Sequence, residues 1–195
     1  MKRPGISIIV PVLDEAGGIV QALERLQEFR ARGAEIIVVD GGSDYGTVRL
    51  AQPLADCVTA AARGRGAQMN AGAGKASGGI LLFLHADTQL PPSAPDLIAA
   101  AIAGGARWGR FDVRIDGSSG GLALVAFMMN WRSRLTGIAT GDQAIFVTRE
   151  AFQACGGFPA IPLMEDIVFS DSLRRNARPA CLQEKVTTSG RRWEK

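Results

Sequence analysis

Residues Ile80-Leu81-Leu82-Phe83-Leu84 form an unbroken apolar run that stops at His85-Ala86-Asp87-Thr88. A run this short and this continuous reads as a strand buried on both faces, as in a parallel sheet covered by helices. The pattern recurs twice. Ile6 to Val12 runs into Asp14-Glu15, and Glu35-Ile36-Ile37-Val38-Val39 runs into Asp40-Gly41-Gly42-Ser43-Asp44. Pro11 in the first run marks a strand end or an edge position. Between those two runs, Ile19, Leu23 and Leu26 share one helical face and Glu24, Arg25 and Glu28 the other. Strand, helix and strand in about 35 residues make a βαβ unit. The expected fold class is therefore α/β, a mostly parallel central sheet flanked by helices.

The rest of the chain extends that scheme. Cys57 to Ala60 reads as a short third strand, Arg63 to Ala76 as a Gly/Ala-rich helix, and Ser93 as the cap of a helix that Gly104-Gly105 end. Beyond this point the pattern changes. Trp108 to Ile115 alternates polar and apolar, as a half-exposed strand does. Leu122 to Leu135 is a helix, apolar first and then basic at Arg132 and Arg134. Ala144 to Thr148 and Cys181 to Thr188 are strands, with helices at Arg149–Ala154 and Glu165–Asn176. The expectation is one domain over residues 1–195, doubly wound to residue 104 and mixed from 105 onward.

Composition excludes several classes. The net charge of +3 comes without a Lys/Arg block of the kind that binds nucleic acid. Cys57, Cys155 and Cys181 are too widely spaced for a zinc motif and read as buried, reduced thiols of a cytoplasmic protein. No apolar stretch approaches the roughly 20 residues of a membrane span. Leu122 to Arg134 leaves two readings: peripheral contact with the inner face of a membrane, or the favoured one, a core helix with a solvated end.

Two phosphate-binding motifs fail. Gly74-Lys75 lacks the preceding Gly and the following Ser or Thr of a P-loop, and Gly64-Arg65-Gly66 is followed by Met69 where a dinucleotide fingerprint needs Gly. What remains is a set of acids at strand ends, Asp14-Glu15, Asp40 and Asp87. Ligands of open α/β sheets bind beyond the carboxyl ends of the strands. Each acid alone is a plausible turn or cap residue. Together they suit a cleft that takes a nucleotide and a cation beside its diphosphate, with Arg63 and Arg65 for the phosphates. If the strand stays extended, His85 and Asp87 point the same way, towards a metal.

These blocks resemble family 2 glycosyltransferases. Ser7-Ile8-Ile9-Val10-Pro11-Val12-Leu13-Asp14-Glu15 is similar to the opening of that family. Val38-Val39-Asp40-Gly41-Gly42-Ser43-Asp44 is similar to its second block, with Gly41 where a second Asp is usual. Arg65-Gly66-Ala67-Gln68-Met69-Asn70-Ala71-Gly72 resembles the helix before the metal strand. His85-Ala86-Asp87 occupies the place of an Asp-x-Asp motif, Glu165-Asp166 that of the general-base pair, and Arg191-Arg192-Trp193 that of the tail of Gln-x-x-Arg-Trp. Together with Gly141-Asp142-Gln143, the His-Ala-Asp variant looks most like the radical-SAM/selenodomain-associated transferases.

The resemblance implies a GT-A fold and an enzyme that moves a sugar from a nucleotide-diphosphate sugar to an acceptor the sequence does not name, a lipid-linked acceptor being one option. It implies a divalent cation, Mn²⁺ or Mg²⁺, held by Asp87 and His85. It implies donor contacts from Pro11, Glu15, Asp40, Gly42, Arg63, Arg65 and Glu165. Asp166 would be the base and Arg191 and Arg192 would close on the phosphates. Asp142 and Gln143, just before a strand, are candidates to meet the acceptor, a turn residue being the equal reading of Asp142. Trp108 and Trp193 are candidate sugar platforms, core tryptophans being the other reading. Two alternatives stand beside transfer: a non-catalytic nucleotide- or partner-binding module of the same fold, and a nucleotidyltransferase, which ranks lower because the loop after the first strand has no basic residue.

Overall fold

The computed structural model describes residues 5–43, 45–117 and 121–190. In chain order the elements are β1 (Ile6–Val12), α1 (Ile19–Glu24), α2 (Gln27–Ala31), β2 (Glu35–Asp40), α3 (Tyr45–Ala51), β3 (Cys57–Ala60), α4 (Arg65–Lys75), β4 (Ile80–Phe83), β5 (Thr88–Gln89) and α5 (Ala94–Ala103). There follow β6 (Trp108–Asp116), α6 (Gly121–Thr136), β7 (Phe146–Thr148), α7 (Arg149–Ala154), α8 (Glu165–Arg174) and β8 (Ala180–Ser189). Among the described residues the strands form one eight-stranded sheet in the order β3-β2-β1-β4-β7-β6-β8-β5. The first four strands are parallel; β7 runs antiparallel to both β4 and β6, β8 is parallel to β6, and β5 is antiparallel to β8. A parallel half thus continues into a mixed half within one α/β domain.

Strand alternation divides the interior into two layers. Ile8, Val10, Ile36, Val38 and Leu82 face a core completed by α1, α2, α5 and α6. Ile9, Ile37, Val39, Leu81 and Phe83 face the other, completed by α4, α7 and α8. In that second layer Phe158 stacks on Phe169 at 3.9 Å and Phe83 meets Phe158 edge-on at 4.8 Å, which seats α8 on the sheet. Gly72 lets α4 lie directly on β1 and β2: a Cβ there would come within 2.9 Å of Val39 Cγ2. At the opposite end of the strands, Ser7 Oγ donates to Glu35 Oε2 at 2.5 Å, and the Ser77 amide donates to the same oxygen at 2.8 Å. Burial pushes the Glu35 carboxyl up, but these hydrogen bonds outweigh it and hold the group below its ordinary value.

Several expectations change. Pro11 stands at the strand end and not at an edge, because β1 lies between β2 and β4. Ser93 precedes α5 but its side chain makes no cap bond. The alternating β6 is buried on both faces as far as Val113. Its Arg110 is fully buried and paired with Asp112, which also accepts from Arg134 Nη2 of α6 at 2.6 Å. An ion cluster contributed by a strand and a helix therefore replaces solvent on that face. Trp108 is a core residue whose Nε1 donates to the Ala177 carbonyl at 2.8 Å.

Helix α6 does not follow the favoured core reading. Leu124, Phe127, Met128, Trp131 and Leu135 are each more than half exposed. The three cysteines are free and half-buried. Among the described residues no helix is long and apolar enough to cross a membrane.

Candidate active site

The carboxyl ends of β2, β1 and β4 meet at one rim. Asp40 ends β2, is buried, and accepts the amides of Gly42 (2.9 Å) and Ser43 (3.0 Å) on Oδ2. Its carboxylate thereby shapes the turn that leaves the strand, with Gly42 at φ +98°. The Ser43 hydroxyl in turn receives the Asp14 amide at 2.7 Å and joins the loops after β1 and β2. Gln68, from α4, is buried and donates through Nε2 to the Val12 and Val39 carbonyls, each at 2.8 Å. Its amide group lies against Gly41, where a Cβ would sit 3.0 Å from Cδ and Oε1. The position that usually carries a second Asp is thus filled from above by Gln68.

The metal-strand segment turns where extension was expected. Strand β4 ends at Phe83, and the Thr88 amide returns to the His85 carbonyl at 3.0 Å. His85 is buried, with Nδ1 3.3 Å from Asp142 Oδ1 and its Cε1–Nε2 edge beneath Gly141. His85 thus faces Asp142 and Gly141, and together with Asp87 it lines one cavity at the rim. Asp87 presents a buried Oδ1 that accepts no hydrogen bond. Such an oxygen is costly to leave unpaired, and a cation is one way to satisfy it. Among the described residues no three His, Cys, Asp or Glu side chains gather into a metal cluster. The residues present fit a cation whose shell is completed by ligand oxygens, which is how Mg²⁺ usually sits among one or two carboxylates and substrate phosphates.

Two cavities share the wall formed by Glu15, Ala86 and Asp87. The first, of about 290 Å³, is bordered by Gln21 and Arg25 of the helical side and by Asp116, Thr187 and Thr188 of the outer strands. The second, of about 360 Å³, brings together Pro11, Arg63, Arg65, His85 and Glu165 with that wall. Arg63 and Arg65 are exposed, and Arg65 Nη1 is 4.0 Å from the buried Glu165 Oε1. Cations on one side and carboxylates on the other suit an anionic ligand carrying its own metal ion.

Asp166 stands in the first turn of α8, which starts after Met164 at φ +63°. Its Oδ2 accepts the Gly141 amide at 2.6 Å and its Oδ1 the Ile167 amide at 2.8 Å. Asp142 is half-buried, whereas Gln143 is fully buried and closes a capping box with Thr140. Asp40, Gly42, Asp142, Gln143 and Asp166 line neither cavity. Arg191, Arg192 and Trp193 lie outside the described residues.

Gln68, Arg25 and Thr187 had no role in the sequence reading. Gln68 was visible only as part of a helical block, and the other two reach the rim through packing of distant elements. Asn70 was likewise silent, yet it exchanges two hydrogen bonds of 2.9 Å with the Phe158 backbone and fixes the loop that leads to α8.

The sequence profile of glycosyl transferase family 2 matches residues 7–149. No curated protein sequence matches this chain. Among solved structures, TarS 1–349 of S. aureus superposes with a TM-score of 0.72 at 16% identity, over 95% of this chain and 60% of that one. The mannosyltransferase PcManGT from Pyrobaculum calidifontis, in complex with GDP-Man and Mn²⁺, gives 0.71 at 22% identity over 96% and 57%. Glucosyl-3-phosphoglycerate synthase from Mycobacterium tuberculosis, with Mn²⁺, UDP and glucosyl-3-phosphoglycerate, gives 0.69 at 19% identity over 95% and 71%. The chain therefore spans 57–60% of the length of the first two.

Proposed function

This chain belongs to glycosyl transferase family 2 and has the GT-A fold, and from that premise we propose that it transfers a sugar from a nucleotide-diphosphate sugar to an acceptor hydroxyl, with inversion at the anomeric carbon. The observation that carries the reading is Asp87, which lines both cavities and keeps a buried Oδ1 without a hydrogen bond. Residues 1–104 supply most of the donor side and residues 105–195 the acceptor side.

The proposed roles join the family motifs to the residues that line the two cavities. Asp87 would hold a divalent cation, Mn²⁺ or Mg²⁺, beside the donor diphosphate. When bound, the cation neutralises charge that develops on the leaving diphosphate. Arg63 and Arg65 bind the same phosphates from the opposite side. Glu15 and the turn held by Asp40, Pro11 and Gly42 receive the base and ribose. Asp166 accepts the proton of the attacking hydroxyl. One displacement assisted by one base inverts the configuration. His85 orients Asp142 and the Gly141 turn, since its ring faces both, and Gln143 fixes that turn from within. Arg191, Arg192 and Trp193 are proposed to close over the donor on the strength of their motif. The His85-Ala86-Asp87 and Gly141-Asp142-Gln143 pair supports membership of the radical-SAM/selenodomain-associated subgroup.

Thermal denaturation with UDP and GDP, with and without Mn²⁺, tests the donor site. A ligand at a hundred times its Kd stabilises by about 2.7 kcal/mol. The expected result is a metal-dependent rise in Tm that Asp87→Ala abolishes; an Mn²⁺-dependent rise undiminished in that variant refutes the assignment. Binding alone, without transfer, has one observation in its favour: both Asp166 oxygens already accept amides. Release of nucleoside diphosphate from UDP- and GDP-sugars across a broad acceptor panel separates the two readings.

A further inference from the structure

Helix α6 carries apolar side chains on two faces. Leu122 and Ala126 are buried against the sheet, and Val125 and Met129 pack partly beside them. On the outer face Leu124, Phe127, Met128, Trp131 and Leu135 are 64, 60, 51, 53 and 66% exposed. Their spacing of i, i+3, i+4, i+7 and i+11 aligns them in one stripe along the helix. A contiguous apolar stripe rimmed by charged residues is the kind of surface that meets a partner or a membrane.

The charges around the stripe indicate what it meets. Helix α6 contains no Asp or Glu. Arg132 and Arg134 flank the stripe, about 80° to either side of its centre line. An open groove of about 380 Å³ runs along one edge. Phe127 and Trp131 form its aromatic wall, and Arg114, Arg134 and Lys185 its cationic one, with Asp112 below. Asp112 is already shared between Arg110 and Arg134, so the groove keeps a positive excess. A second copy of the chain would present the same acid-free helix and leave these cations unmatched.

We propose that α6 docks the protein on an anionic bilayer surface. The stripe enters the boundary between headgroups and acyl chains, and the groove receives a lipid phosphate. Trp131 has the amphipathic ring favoured at that depth, and the flanking arginines can keep their charge in the headgroup layer while their stems cover apolar surface. The helix is too short and too polar at its C-terminal end to span, so the docking is peripheral. The assignment stands on the helix and the groove alone and is independent of the donor-site reading.

Co-sedimentation with vesicles of phosphatidylcholine, and of phosphatidylcholine mixed with phosphatidylglycerol, tests it on the whole chain. The expected result is partition to the anionic vesicles and little to the neutral ones, with a blue shift of tryptophan emission that Trp131→Phe reduces. Phe127→Ser combined with Trp131→Ser removes binding, and Arg114→Gln with Lys185→Gln weakens it about tenfold or more, since each basic group near such a surface contributes about 1 kcal/mol. All substituted side chains border solvent, and an unchanged melting transition certifies the variants. Absence of binding, or equal binding by wild type and both double variants, overturns the proposal. So does a dimer in solution that the Phe127→Ser/Trp131→Ser chain fails to form, because it assigns the stripe to a second copy.

Discussion

The imidazole of His85 lies directly beneath Gly141: a Cβ at position 141 would come within 2.5 Å of both Cε1 and Nε2. The same glycine donates its amide to Asp166 Oδ2 at 2.6 Å. One residue without a side chain therefore couples the end of the central strand to the proposed base.

Gly141→Ala has to displace either the buried ring or the turn. The expected cost is about 1–3 kcal/mol in stability, as for other overpacked sites, and loss of most transfer activity through the misplaced Asp166. The chain has a single histidine, so its imidazole Cε1–H gives one NMR signal. That signal moves in Gly141→Ala and in Asp142→Asn, and an unmoved signal in both contradicts the arrangement.

Restoring the usual acid at position 41 harms this protein. Gly41→Asp pushes Gln68 off the Val12 and Val39 carbonyls, at about 1–3 kcal/mol for each buried group left unpaired. The cost of Gly41→Asp is smaller in a Gln68→Ala background, by roughly 0.5–3 kcal/mol of coupling. Denaturant titration of the four chains measures the cycle, and strict additivity would show that the two positions do not compete.

Removing Asp112 strands a buried cation. Arg110 is fully buried with its Nε unpartnered, and Asp112→Ala leaves it without its carboxylate. The expected destabilisation is about 3–5 kcal/mol. Arg110→Met together with Asp112→Leu costs less than Asp112→Ala alone, because no bare charge remains inside. Chemical denaturation of both variants checks the order.

Glu35 ties stability to acid pH. Its carboxyl lies below the ordinary 4.5, so the folded state binds a proton less readily than the unfolded chain. The stabilisation is complete above that value and disappears as pH falls through the lower folded value. Glu35→Gln is expected to lower Tm at neutral pH by about one to three degrees, since solvent screening keeps such a partly exposed group under about 1 kcal/mol. The gap between the two chains closes in acid; a gap that persists at the lowest accessible pH contradicts this.

Most of the sheet was legible before any coordinates. β1, β2 and β4 are buried on both faces, and parallel strands in that situation read as near-continuous apolar runs. The acids that follow them were legible for the same reason, since a polar residue after such a run marks the strand's exit to solvent. β6 was misread because alternation reports charge and not burial. The partner that neutralises Arg110 from within the strand is local, but Arg134, which completes the cluster, lies 22 residues beyond Asp112. The direction of His85 was not legible for another reason. Period-two reasoning needs an extended chain, and the strand ends at Phe83.

Composition and local pattern thus determined every strand but the short β5, most helices, the parallel first half and the rim at which a ligand would meet the chain. Each follows from side chains within a few residues of one another, where burial and backbone preference act together. Only the tertiary structure decided that Gln68 fills the space beside Gly41, that Asp87 borders two cavities with one oxygen left unpaired, and that Gly141 links His85 to Asp166. It also decided which apolar face of α6 is covered. Both faces satisfy helical periodicity, and the choice rests on the sheet, which can bury one face of a helix and must leave the other to whatever lies outside.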